Sequence, residues 1–337
     1  MKSQRNSETT KKGKKIMANT NTKNNSQQLR RLKNEVSLQG KLTEVTSNYG
    51  TTKAGIPYVS VKGVIQIGEH AADTKNFDIF AQEYSVRDGE RKESKLYVNT
   101  VNWLNQHKSN TVASVGYDNA DVVKVGGSLY VNDYVNKDGK LKSPVLIRGS
   151  FFNTPAPDKD GRMNLGEATV EGYIKNIRTE VRNEKETGRL IVTLLTDTFV
   201  GEIVPVDIVV PEEIASAFED MYEIGQTASF YIDFIPHKTT EAPKKGGFGV
   251  QRTSERTYIE TVMVGGDTPL DEDDENAISK EVIKIALADR QAKLDELADN
   301  GYQGTGFKEV SSSKTNAKNT ATAAVDVDVD VDEDIPW

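Results

Sequence analysis

Two short stretches share one pattern around a central glycine: Leu38-Gln39-Gly40-Lys41-Leu42 and Val170-Glu171-Gly172-Tyr173-Ile174. Each opens the same succession of short apolar runs, so the chain reads as one unit built twice. In the first unit Val36, Leu38, Gly40 and Leu42 alternate with polar neighbours, and a turn-rich segment from Ser47 to Pro57 leads into Tyr58 to Ile67, where Val59, Val61 and Ile65 share a face. A period of two places every second side chain on one side of a strand. Asn76 to Tyr84 is a third strand, with Phe77, Ile79 and Ala81 on one face and Phe80, Gln82 and Tyr84 on the other.

Lys95 to His107 then changes period and reads as a helix carrying Val98, Val101 and Leu104, with Trp103 assigned to the core. Asp121 to Val135 and Ser143 to Phe152 read as strands around Asn136-Lys137-Asp138-Gly139, whose Asp-Gly favours a hairpin turn. The second unit continues with Arg189 to Thr198, Glu202 to Val210, a helix from Pro211 to Tyr222, Thr227 to Pro236, and Arg256 to Val264. Pro211 suits a helix start, where a missing N–H costs nothing.

Five strands with a helix between the third and fourth is the order of an OB-fold, a small Greek-key barrel. The fold class expected is all-β with short helices: two five-stranded OB-fold domains in tandem, at residues 35–155 and 156–268, joined by the Pro/Asp-rich stretch Thr154 to Gly166. Residues 1–34 are Lys/Asn/Ser/Thr-rich and read as a disordered basic arm, or as a leader before an alternative start at Met17. Residues 269–300 form an acidic linker and a helix from Ile278 to Ala298, with Ile278, Val282 and Ile285 on one face and Asn300-Gly301 as its cap. That helix either packs on the second barrel or pairs two chains. Residues 301–337 are a flexible tether with an acidic end.

Net charge is −8, but it is unevenly spread: residues 1–35 carry +8, 36–155 carry +2, 156–266 carry −7, 267–325 carry −5 and 326–337 carry −6. A near-neutral first unit beside a basic arm can still grip a polyanion locally. Zero cysteine excludes disulfides and thiolate metal sites, and His70, His107 and His237 are scattered, so neither a metal nor another cofactor is expected. No apolar run approaches the ~20 residues that span a bilayer, which points to no membrane partner and a cytoplasmic location. No nucleophile is paired with a base, and Gly246-Gly247-Phe248-Gly249 lacks the Gly-Lys-Ser/Thr of a phosphate loop. The chain is not expected to be an enzyme.

Sequence-tolerant capture of single strands needs cations along the backbone and flat rings on which bases stack. In the first unit Tyr58, Lys62, Phe80 and Tyr84 alternate away from the core residues, Tyr130 and Tyr134 flank the fourth strand's exit, Arg148 lies on the fifth strand, and Lys41 and Lys53 border the first loop. Any one of these rings could instead fill the core or pair across strands. Phe151 and Phe152 are adjacent, so only one of them can face outward. In the second unit the loop Lys238 to Arg252 offers Lys244, Lys245, Phe248 and Arg252, with Arg256 beyond it; a mobile hairpin tip with incidental charge is the other reading.

The chain ends VDVDVDVDEDIPW, an anionic run closing on an apolar tip. Asp332, Glu333, Asp334, Ile335, Pro336 and Trp337 resemble the C-terminal tip of bacterial and phage single-stranded DNA-binding proteins, which usually ends in aspartates followed by Ile-Pro-Phe; Trp337 stands where phenylalanine is usual. Gly126-Gly127-Ser128-Leu129-Tyr130 and Asp133 to Gly139 are similar to the fourth strand and hairpin of the same family. The resemblance implies a phage- or plasmid-type protein that binds single-stranded DNA without sequence preference in replication, recombination or repair. It also implies a tip that recruits replication and recombination proteins, and it leaves room for a homo-oligomer. Two other readings stay open: an accessory factor whose barrels mainly bind protein, and a structural OB-fold protein whose tail only solubilises it.

Overall fold

In the strand Pro57–Gln66, Val59, Val61 and Ile65 are fully enclosed while Lys62 faces out, and this alternation builds the barrel wall. The computed structural model describes residues 29–301 except 88, 183, 199–200 and 242–253. The first unit contains β1 (Asn34–Thr51), β2 (Pro57–Gln66), β3 (Thr74–Gln82), β4 (Tyr84–Arg87), β5 (Glu90–Glu93), α1 (Lys95–His107), α2 (Val112–Val115), β6 (Val122–Val131), β7 (Tyr134–Val135), β8 (Leu141–Lys142) and β9 (Val145–Asn153). The second contains β10 (Leu165–Arg182), β11 (Lys185–Asp197), β12 (Ile203–Val210), α3 (Glu212–Met221), β13 (Thr227–Glu241) and β14 (Ser254–Gly266), and α4 (Lys280–Asn300) follows.

Strand pairing closes both barrels in one order. β1 pairs β2, β2 pairs β3, β3 meets β9 in parallel, β9 pairs β6, and β6 returns to β1. β10, β11, β12, β14 and β13 repeat that circuit, again with one parallel contact, β12 to β14. This is the OB-fold twice over. α1 and α3 occupy equivalent places between the third and fourth barrel strands. Trp103 of α1 packs edge-on against Phe77, and Phe218 of α3 lies 6.1 Å from Phe230, so each helix plugs its barrel with a ring.

Residues Asn34 to Gln39 of β1 pair antiparallel with Val170 to Leu165 of β10, which fuses the barrels into one ten-stranded sheet. Exchanging the two glycine-centred motifs maps this pairing onto itself. Gly40 and Gly172 mark where each strand leaves the seam for its own barrel: a Cβ on Gly40 would fall 1.8 Å from the Gln66 carbonyl oxygen, and one on Gly172 would fall 2.5 Å from that of Leu195. The connection between units is fastened as well, because the buried Gln39 amide donates to the carbonyls of Ala156 and Met163 and accepts from the Ala156 N–H.

Several boundaries move. The stretch Ser47 to Pro57 is not all turn: β1 runs on to Thr51, and the reversal is confined to Thr52–Ile56, closed by Thr52 N–H to the Ile56 carbonyl. The third strand ends at Gln82, because the Glu83 N–H bonds Pro57 and its carbonyl accepts from Ser94; Tyr84 therefore starts a separate ribbon, β4–β5. The Asp-Gly turn likewise closes a small ribbon of its own, β7–β8, with Gly139 at φ 77°. β13 and β14 extend past Pro236 and start before Arg256, pairing as far as Glu241 with Ser254, so the long loop is the end of a hairpin whose tip lies outside the described residues.

Helix phases shift too. α1 has the expected ends, but Thr100, Trp103 and Leu104 are its buried residues and Val98 is 48% exposed. α4 packs within the chain: Ile283, with Val282, Ala286 and Leu287, joins Leu29, Leu32, Tyr173, Leu195, Ile203 and Ile278 in a second apolar cluster, while Ile285 faces out. Residues 29–34, assigned to the basic arm by composition, belong to the fold, with Leu32 in that cluster and Arg30 paired with Glu171. Residues 1–28 lie outside the described residues.

At the junction of the units the Lys75 ammonium sits 4.7 Å over the Phe234 ring, and burial pulls its pKa down to about 8. Above pH 8 the folded chain releases this proton while the unfolded chain holds it to about pH 10.5, so the unfolded state binds more protons and stability rises across that window. In urea denaturation at several pH values from 7 to 10.5, the wild type should gain on Lys75→Met with increasing pH. A constant difference between the two proteins would contradict this.

Candidate nucleic-acid interface

Register, rather than position in the chain, assembles the candidate surface. Cross-strand partners point to the same side of a sheet, so Thr46, Lys62, Asp78, Arg148 and Ser128 form one outward row across β1, β2, β3, β9 and β6. The next row runs Asn48, Ser60 and Phe80, and a third runs Gly50, Tyr58 and Gln82. Tyr58 and Phe80 are diagonal neighbours whose ring centres lie 5.0 Å apart at 37°. Phe80 is 38% exposed. The Tyr58 ring lies against Gly50, where a Cβ would come within 2.6 Å of its hydroxyl, so the glycine makes room for a ring lying along the wall.

Beside this pair stands a fixed polar cluster. The Arg148 guanidinium lies 4.1 Å over the Tyr130 ring, and the Tyr130 hydroxyl donates to Asp78 Oδ2 at 2.7 Å. Burial, reinforced by Asp78, pushes that hydroxyl up to about 12, so it stays protonated and keeps donating. Asp78 offsets Arg148, and Lys62 is exposed in the same row. Lys53 is exposed at the tip of the β1–β2 turn, and Tyr134, 43% exposed, lies on β7. Tyr84 is on β4 with one face covered by the Arg91 guanidinium at 3.5 Å.

Lys41 is not at the first loop. It lies about ten residues down β1 from the turn, beyond a bulge between Leu42 and Glu44 that resets the strand's phase, and its Nζ donates to the Ala120 carbonyl at 2.7 Å near the Tyr117 ring. It is therefore committed to holding the α2–β6 connection. Lys244, Lys245, Phe248 and Arg252 fall outside the described residues, as do Asp332 to Trp337; Arg256 is placed by its backbone only, opposite Thr239 on β13.

Two features escaped the sequence. Phe151 is 67% exposed at the end of β9, facing Gly126, while Phe152 stacks on Trp103 at 5.0 Å. The adjacent phenylalanines signalled one exposed ring, and only packing against α1 decides which. In barrel 2, Glu180 and Glu260 are buried beside Arg182 and Arg189, with His237 Nε2 3.0 Å from Glu260. Burial alone would raise the Glu180 carboxyl, but hydrogen bonds from Thr187 and Arg182 hold it below its usual value. No local signal could reveal this network, because its members come from different hairpins. The barrel 2 wall equivalent to the ring-bearing one has Asp207 engaged by Thr193 at 2.6 Å and by Arg178 at 3.7 Å, with no aromatic residue on β11 or β12.

The arrangement sets exposed aromatic rings beside cationic side chains on one barrel wall. Among the described residues no cluster of three or more His, Asp or Glu could hold a metal ion, and no helix is long and apolar enough to cross a membrane.

Fold and wall together define a tandem OB-fold protein with a ring-and-cation face on barrel 1. The YorF family model matches residues 33–300, and the chain belongs to the YorF family. No curated protein matches the chain. Among solved structures, the wild-type single-stranded DNA binding protein from Thermus aquaticus is similar over 73% of this chain and 97% of its own, at 10% identity and a TM-score of 0.41. A deletion mutant of that protein matches over 73% and 98% at 13% identity and the same score. A small single-stranded DNA binding protein from Mycoplasma pneumoniae matches over 37% and 96% at 14% identity and a TM-score of 0.21.

Proposed function

We propose that the chain binds single-stranded DNA without sequence preference along the outer wall of barrel 1, and that it is a binding protein rather than an enzyme. The observation that carries this is the Tyr58–Phe80 ring pair, displayed outward in register with Lys62 and beside the Arg148–Tyr130 cluster. Every base has a π-face, so paired rings accept any sequence, and a duplex, whose bases are already stacked, offers them nothing. The acidic tip, by its resemblance to that of single-stranded DNA-binding proteins, recruits replication and recombination proteins to the coated strand.

Titration of the full chain with labelled oligo-dT, duplex DNA and single-stranded RNA across salt tests the first part. The expected result is preference for the single strand and a log–log salt slope of about −2, from roughly three phosphates neutralised. Equal affinity for duplex and single strand would reject it. For the second part, replication proteins should be retained by the full chain and lost when it stops at residue 324.

A further inference from the structure

α4 begins on barrel 2 and reaches barrel 1. Its first turns bury Ile283 among Leu32, Tyr173, Leu195 and Ile203. Further along, Arg290 donates from both terminal nitrogens to the two carboxylate oxygens of Asp133, each at 2.9 Å, and both side chains are shielded, 12% and 17% exposed. Lys293, on the same helix, pairs with Glu202 next to β12. A two-pronged guanidinium–carboxylate contact fixes orientation as well as distance.

Asp133 is where the chain leaves β6 for the β7–β8 ribbon, which presents Tyr134 and the exposed Lys137 and Lys140. Two strands of two residues do not hold a shape alone in water. Val135 is the ribbon's buried side chain, and an N–H from Asn132 to the Pro144 carbonyl closes its root. Its pose therefore depends on what grips it from outside, and α4 lies alongside both β7 and β8.

We infer that α4 is a clasp that holds the β7–β8 ribbon in its nucleic-acid-binding pose, and that Arg290 is a positioning residue for that binding without touching the strand. The binding half of this rests on the proposed function; the holding half does not. Two readouts on the full chain separate them. In Arg290→Ala, amide hydrogen exchange of residues 133–142 should quicken by about tenfold while β2 and β3 are unchanged, with or without DNA. Affinity for oligo-dT should fall several-fold with an unchanged salt slope, and the exchanged pair R290D/D133R should restore both. Unchanged ribbon exchange overturns the clasp. A salt slope reduced by about 0.7 would make Arg290 a phosphate contact and overturn its positioning role. Quickened exchange in a chain whose wild type ignores oligo-dT would support the clasp and sink the binding role.

Discussion

Phe80→Ala should weaken binding of oligo-dT to the full chain by roughly 5- to 150-fold, the equivalent of about 1–3 kcal/mol for one lost stacking platform. The ring is well placed for so large a loss. It points away from the core residues Phe77, Ile79 and Ala81 on the same strand, and its neighbour across the wall is Tyr58. Removing it should cost folding stability only the value of one cross-strand pair, ~0.2–1 kcal/mol. Binding and stability should thus separate in this variant, as anisotropy titration and urea denaturation of one preparation would show. Lys62→Ala should behave differently: a few-fold weaker binding, with the salt slope shallower by about 0.7. Should Phe80→Ala bind like wild type, the barrel 1 wall is not where the bases sit.

Gly40→Ala should destabilise the fold by about 3 kcal/mol or more, measured as a shift of the urea midpoint. The clash is between the new Cβ and the carbonyl oxygen of Gln66 on the paired strand, 1.8 Å away, with Asn164 Oδ1 at 3.0 Å on another side. Neither β1 nor β2 can retreat, because β1 is paired with β2, β6 and β10 within this region. Overpacking against backbone cannot be relieved by a rotamer change, so the cost should exceed the ~1–3 kcal/mol typical of an enlarged core side chain. Gly172→Ala meets the Leu195 carbonyl at 2.5 Å and should cost less. A loss below ~1 kcal/mol at Gly40 would mean that the strand can bend elsewhere.

These two glycines also show how much was legible beforehand. The repeated motif around them announced two like units, and the order of alternating runs announced the barrel type, because in-and-out alternation and a helix period are local properties of the chain. α1 was readable to its ends for the same reason, and Trp103 and Leu104 mark its inner side as expected; the Ser94 cap, accepting from the Tyr97 N–H, emerged only in the structure. The orientations of Tyr58, Lys62 and Phe80 were readable from the buried residues they alternate with.

What failed was whatever depended on a distant partner. The bulge at Leu42/Glu44 put Lys41 on the α2 connection, the turn at Glu83 detached Tyr84 from β3, and the choice between Phe151 and Phe152 waited on Trp103. Alternation tells a strand which residues share a face but not which neighbour covers that face. So the chain alone determined two barrels and their inner residues, since hydrophobic periodicity is written locally. Only the tertiary structure decided that β1 and β10 join into a single sheet, that Arg148 is set over Tyr130, and that Arg290 reaches Asp133, because register and pairing are settled by packing between separate segments, some of them more than a hundred residues apart, as Asn34 is from Val170.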